Sequence, residues 1–311
     1  METTHIANSS SIGEILRAHA QWMHTESGEG RCILDGATLN GMNLTSADLQ
    51  AAIIRGATLL DAELSDAKLG KAIIDAADFQ RALLGRADLA GARISKSDFG
   101  FSWMAEAALS DAEIRNSDFR KANLRGARFQ GALIESCKFP AATLSATSFN
   151  HARVTLCDFS RCDFAEAQFV RAHIEGSRFH SANGPDSNFS NCRLKACDFA
   201  RTDLARARFL QADLTGSQFD RARLREADLR SAQLRGVILC RADLTRARFS
   251  GALLFAADLR GADLTGAREM TSQQLTQART DDNTILPNGS RGPYRRNSGA
   301  ERPQAANNSA R

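Results

Sequence analysis

From residue 34 to residue 264 every fifth residue is large and apolar, without one insertion or deletion; Gly184 is the single exception among these 47 sites. The stretch from Ala76 to Phe99 shows the rule: Phe79, Leu84, Leu89, Ile94 and Phe99 are large, and Ala77, Ala82, Ala87, Ala92 and Ser97, two residues before each, are small. Call the large site i. A period of five belongs neither to a helix (3.6) nor to a strand (2). Two inward residues in every five require the chain to bend after each five, so one short extended piece and one turn must fit that length.

Glycine and proline mark the turn. Twelve of the sixteen glycines between 34 and 268 fall at i+2, among them Gly56, Gly91 and Gly126, which predicts a positive φ there. Pro140 and Pro185 both fall at i+1, where a turn tolerates a fixed φ.

A second period of twenty lies over the first. Phenylalanine recurs at 79, 99, 119, 139, 159, 179, 199 and 219, and again at 129, 149, 169, 189, 209 and 249. Between these lie an aliphatic series (Ile54, Ile74, Ile94, Ile114, Ile134, Val154, Ile174, Leu194) and a mostly leucine series (Leu44, Leu64, Leu84, Met104, Leu124, Leu144). Four pentapeptides therefore make one coil, a square with phenylalanine on two opposite sides. About twelve coils stacked by parallel β-type hydrogen bonds would form a rod of about 55–60 Å at the usual strand spacing. The leucine series continues Leu144, Phe164, Gly184, Leu204, so its only phenylalanine precedes its only glycine. This predicts that Phe164 leans into the space Gly184 leaves.

These residues resemble the pentapeptide-repeat family, whose pattern is A(D/N)LXX: compare Ala87-Asp88-Leu89, Ala122-Asn123-Leu124 and Ala262-Asp263-Leu264. The resemblance spans residues 31–268 and implies an all-β solenoid, a right-handed quadrilateral β-helix.

The ends need covers, because a stacked coil leaves unpaired backbone groups. Within the N-terminal segment 1–30, Ile12, Ile15, Leu16, His19, Trp22 and Met23 share a helical face, and Ser11 with Glu14 fits a capping box; a helix over about 11–26 is expected. In the C-terminal segment 269–287, Thr271-Ser272-Gln273-Gln274 opens a short helix through Ala278. Residues 288–311 are polar and basic, and composition predicts disorder.

Several function classes are disfavoured. No run of eighteen apolar residues exists, and METTHIANSS lacks the basic and apolar regions of a classical secretory signal, so a cytoplasmic protein with no membrane span is expected. Cys32, Cys137, Cys157, Cys162, Cys192 and Cys197 occupy the small i−2 site, reading as core fillers in a reducing compartment. His151, His173 and His180 fall on outward phases without metal-ligand spacing. No catalytic motif, metal site or cofactor fingerprint is legible, and a convex rod offers no convergent pocket. A non-enzymatic protein without a cofactor is expected.

Two outward groups remain as candidate partner sites. Phe101 and Trp103, with Leu83 one coil before Trp103 and Arg81 and Lys121 flanking Phe101, form a candidate protein contact. Arg201, Arg221 and Arg241 form one column and Arg206 and Arg246 the next, within a region (151–268) of 19 Lys/Arg against 14 Asp/Glu. They read either as an anion-facing stripe or as a solvated surface paired to Asp203, Asp228, Glu226 and Asp243.

The leading reading is an interaction scaffold presenting its faces to an unknown protein partner. The family resemblance implies two others: a DNA-mimicking protein that binds DNA gyrase, and a bacterial effector delivered into host cells. The net charge of +4 opposes DNA mimicry, whose best candidate is the column Asp78, Asp98, Asp118, Asp158 and Asp198, interrupted by Lys138 and Arg178. Gyrase binders of the family dimerise through their C-terminal ends, so the segment after Thr271 is either a cap or a homodimer contact.

Overall fold

The computed structural model describes residues 9–25 and 29–303 of the 311. It comprises two compact units, residues 1–163 and 164–311. Both are built from parallel coils of twenty residues.

One pentapeptide explains the repeat. In residues 78–82 of the first unit, Asp78 N donates to Ala57 O one coil back (2.9 Å), and Phe79 N and Arg81 N donate forward to Asp98 O (2.7 Å) and Gly100 O (3.0 Å). Ala82 N closes the turn on Phe79 O (3.1 Å). That leaves the N–H of Gln80, at i+1, with no backbone partner; it donates to Asp78 Oδ1 at 2.9 Å. The Asp or Asn at i−1 therefore completes the backbone count of its own pentapeptide. The same bond recurs at Asp88, Asp98, Asn123, Asp203, Asp243 and Asp263. Every i+2 residue from Gly36 to Gly266 has positive φ. Glycine suits that site because any other residue there carries a steric cost.

In the first unit, α1 (Ser9–Thr25) precedes β1 (Ile33–Asp35), β2 (Ile53–Arg55), β3 (Ile73–Asp75), β4 (Arg93–Ser95), β5 (Glu113–Arg115), β6 (Leu133–Glu135) and β7 (Arg153–Thr155). Each strand pairs in parallel with the next at a twenty-residue offset, Ile54 against Ile74 for example. The other three sides of the coil are held by single bridges such as Thr58↔Asp78, Leu83↔Trp103 and Asp88↔Ala108. The strands form on the Ile/Val column, where β-branched side chains favour extended backbone. After these strands the turn closes on a side chain: Ala77 N donates to Ser97 Oγ (3.1 Å) and Ser97 N to Ser117 Oγ (3.2 Å). Cys137 continues that column, its thiol donating to Glu135 O at 3.2 Å. Inside, Phe79, Phe99, Phe119, Phe139 and Phe159 stack with centroids 4.8–4.9 Å apart and planes within 3–7°. That is the coil spacing itself. Burying each ring is worth about 2–3 kcal/mol.

The second unit contains β8 (His173–Glu175) and β9 (Arg193–Lys195), which pair in parallel. The aliphatic column then turns to leucine. Ser217, Val237 and Ala257 close their turns on Leu214, Leu234 and Leu254 carbonyls, and pairing thins to the bridges Arg193↔Asp213, Asp213↔Gln233 and Gln233↔Leu253. The described strands thus number nine, against about twelve expected coils; the last of them, β9, already centres on Leu194, and beyond it the i−2 N–H closes a turn instead. Phe164 fills the space at Gly184: a Cβ added there would lie 1.9 Å from Phe164 Cε2. Its ring meets Phe169, Phe179 and Phe189 edge-on at 5.6–6.1 Å.

Each unit carries one end segment. Helix α1 starts at Ser9 rather than 11, so position 11 lies inside it. In the second unit α2 (Ser272–Gln277) opens with a capping box between Thr271 and Gln274, and Leu275 is buried. Gln274 Nε2 donates to Phe249 O (2.8 Å) and Ala252 O (2.9 Å).

The expected disordered tail is corrected for residues 288–303. Arg291 pairs antiparallel with Ile285, Tyr294 N donates to Thr280 Oγ1 (2.9 Å), and the Tyr294 hydroxyl donates to Glu301 Oε2 at 2.9 Å and lies 2.7 Å from Ser272 Oγ. The composition averages over the chain's one tyrosine, which anchors the segment. Residues 304–311 lie outside the described part.

Candidate interaction surface

Outward side chains are answered in two ways. At i−1, Asp and Asn are spent on the backbone. At i+2, side chains of successive coils stand above one another and pair when their charges allow. Arg81 makes a bidentate contact with Asp61 (2.7 and 2.8 Å), and Arg86 with Asp66 (2.8 and 2.6 Å). These guanidinium groups hold both carboxyls below the usual carboxylate range.

Against that background the corner at Phe101–Trp103 in the first unit stands out. Leu83 and Trp103 pair in register, one coil apart. Phe101 and Trp103 stand on either side of buried Ser102. Phe101 is 50% exposed, Trp103 52% and Leu83 43%. The indole lies over Gly85, where an added Cβ would come within 3.4 Å of Trp103 Cδ1. Lys121 Nζ sits 5.2 Å from the Phe101 ring centroid, a cation–π contact. Phe101 also holds φ +60°, a conformation an aromatic residue rarely adopts. Leu83, Phe101, Trp103 and Lys121 are thus together on one corner, while Arg81 is engaged by Asp61.

In the second unit the arginines are exposed but mostly answered. Arg206 grips Asp186 (2.8 and 2.6 Å), Arg246 lies 3.7 Å from Glu226, and Arg221 lies 3.7 Å from Asp220. Beside them Arg223 reaches Asp203 (3.5 Å) and Arg230 reaches Asp228 (2.6 Å). Among the described residues, Arg201 and Arg241 have no carboxylate within 4 Å. The column Asp186, Arg206, Glu226, Arg246 alternates in charge, whereas Arg201, Arg221 and Arg241 stack as like charges, of which only Arg221 has a carboxylate beside it among the described residues.

The acidic column is likewise occupied. In the first unit Asp78, Asp98, Asp118 and Asp158 accept the N–H groups of Gln80, Gly100, Arg120 and Ser160. In the second, Asp198 accepts from Ala200 N.

Other outward features escaped the sequence reading. Ile238, Leu253 and Phe255 are exposed in the second unit and Leu156 in the first, all on outward phases that their numbering alone reveals. Cys240, the seventh cysteine, sits at i+1 beside an open recess of about 440 Å³ shared with Asp220, Arg241, Arg260 and Asp281. Burial and the nearby Asp258 push its thiol above the usual range, which keeps it protonated and a poor nucleophile. Asp258 itself is held at about 2 by Arg260. Among the described residues no cluster of three His, Cys, Asp or Glu side chains could hold a metal, and no helix is long and apolar enough to cross a membrane.

Pentapeptide-repeat descriptions match residues 31–60, 62–100, 104–139, 202–239 and 232–268, and a related pentapeptide repeat region matches 132–209. The chain belongs to the pentapeptide-repeat family. Among solved structures, this pentapeptide-repeat protein is similar to HetL, involved in heterocyst differentiation regulation in the cyanobacterium Nostoc sp. strain PCC 7120 (23% identity, 90% of this chain and 98% of that one, TM-score 0.37). It is also similar to trypsin-treated QnrB1, a plasmid-mediated fluoroquinolone resistance protein (21%, 60% and 82%, TM-score 0.32), and to a pentapeptide repeat protein of the Arabidopsis thaliana thylakoid lumen (17%, 48% and 83%, TM-score 0.26). No curated protein matches the sequence significantly.

Proposed function

We propose that this pentapeptide-repeat protein is a non-enzymatic interaction scaffold that recognises a protein partner through Phe101, Trp103 and Leu83. The carrying observation is that this corner exposes three large apolar side chains together, beside the charged pairs Arg81–Asp61 and Arg86–Asp66. Aromatic side chains on a hydrogen-bonded coil lose little conformational entropy on binding, which is why they dominate interfaces. The gyrase reading has less support. The net charge is +4, the aspartate column is interrupted by Lys138 and Arg178, and Asp118 within it is paired to Arg120.

Site-specific photo-crosslinking tests the proposal. A photoreactive phenylalanine analogue at position 103 should give a discrete protein adduct in cells that make the protein, and the same probe at position 138, an outward site in the same unit, should not. Adducts of equal yield at both sites, or at neither, would count against this surface. In a gyrase supercoiling assay the purified protein should have no effect; inhibition at low-micromolar protein would restore the alternative.

A further inference from the structure

The first coil has no coil before it, so its backbone lacks partners that later coils find. Within the stack the N–H at i+2 donates to an i+1 carbonyl of the next coil, as Ala51 N does to Gly70 O (2.8 Å), and the N–H at i−2 closes a turn, as Ala52 N does on Leu49 O (3.0 Å). In the first coil one imidazole serves both needs. His19, fully buried on α1, accepts from Cys32 N at Nδ1 (3.1 Å) and donates from Nε2 to Gln50 O (3.0 Å). The Cys32 N–H can only donate, so Nδ1 must be unprotonated and the single proton sits on Nε2.

We propose that His19 is a proton-operated latch: neutral, it pins α1 across the first coil, and protonated, it releases α1 and uncovers the backbone edge of that coil. A second proton on Nδ1 would point an N–H at the N–H of Cys32. Burial already favours the neutral ring and lowers its pKa from 6.5; the Gln50 carbonyl and the Asp48 carboxylate pull the other way, and Arg31 adds to the lowering. Asp48 lies 3.6 Å from Lys68, and Arg31 is held by Ala51 O (2.7 Å) with its guanidinium 5.5 Å from the Trp22 ring. Burial pushes the Cys32 thiol up to about 12, so it stays neutral beside the latch. A depressed histidine pKa means that docking is complete above 6.5 and is lost as pH falls through the folded value. Between those two values each pH unit weakens docking about tenfold. What is uncovered is a coil edge, the surface that parallel stacking leaves prone to pairing with other chains.

Trp22 reports the latch directly, since its ring stacks on His19 at 5.5 Å and 14°. The chain has one other tryptophan, so Trp103→Phe isolates the signal. In that background Trp22 emission should shift to the red on acidification, with a midpoint below 6.5, while the far-ultraviolet circular dichroism of the solenoid stays constant. His19→Gln keeps an acceptor and a donor but cannot titrate, so it should abolish the shift. Persistence of the shift in His19→Gln, its absence down to pH 4, or its coincidence with loss of the solenoid signal would each overturn the latch. Should His19→Gln already be undocked at pH 7.5, nuclear magnetic resonance of His19 in the unsubstituted chain decides. A midpoint below 6.5 that tracks Trp22 supports the proposal, and one at or above 6.5 overturns it.

Discussion

The arginine columns of the second unit and the aromatic corner of the first are both outward residues on a repeating coil, yet they behave differently. Arg206 has Asp186 one coil away and grips it; Phe101 and Trp103 expose half their surface and are answered only by Lys121 on one ring. In a fold where like positions stack, a residue's vertical neighbour decides whether it is spent or spare. Counting charge along the sequence does not, which is why the more basic region is the weaker candidate for a binding site.

Tests of this contrast begin where a residue is most fully used by the fold. Gly184→Ala should cost about 1–3 kcal/mol in chemical denaturation, because the new methyl overlaps the Phe164 ring. Phe164→Leu alone should open a cavity costing about 1–3 kcal/mol. The double variant should lose less than the sum, and strict additivity would show that the two do not share one space. The opposite sign is expected at the spare corner. Phe101→Gly relieves a positive φ and should raise stability by about 0.5–1 kcal/mol while weakening partner binding. A loss of stability would mean that the ring serves the fold.

The smallest effects belong to the arginines. Arg206→Gln should lower stability slightly, and the loss should shrink as salt rises. Arg201→Gln should change nothing. Arg206 lowers the Asp186 pKa, so this pair stabilises the fold above the usual carboxylate range and ceases to do so as pH falls through the depressed value. A titration of stability with acid should therefore lose one small step in Arg206→Gln.

Much of the coil was legible in advance because its rules are local and repeated. The period of five names the inward residues, glycine at i+2 marks the positive φ, and Gly184 after Phe164 is visible as a gap and its filler. What was not legible depends on single contacts. Nothing in the spacing says where along the aliphatic column the strands give way to closed turns, since Ile, Val and Leu fit the same inward site. The tail reads as polar, and only Tyr294 against Ser272 and Glu301 holds it. His19 looked like one more residue on a helical face; its two backbone partners belong to a coil edge that no local pattern displays. Of the candidate sites, the aromatic corner was visible by phase; pairing of the arginines was one of two open readings, with Glu226 among its named partners, while Asp186 and Asp220 as partners of Arg206 and Arg221 emerge only in the fold.

The most direct test of the account sets the two regions against each other with the partner captured at position 103. Its affinity should be measured for the intact protein, for Phe101→Ser/Trp103→Ser, and for the charge reversal Arg201→Glu/Arg241→Glu. The account predicts at least a tenfold loss for the aromatic variant, about 1.4 kcal/mol or more, and an affinity within about twofold of the intact protein for the charge variant. Loss in the charge variant with the aromatic variant unaffected would contradict it, and would place recognition on the arginines left without a partner.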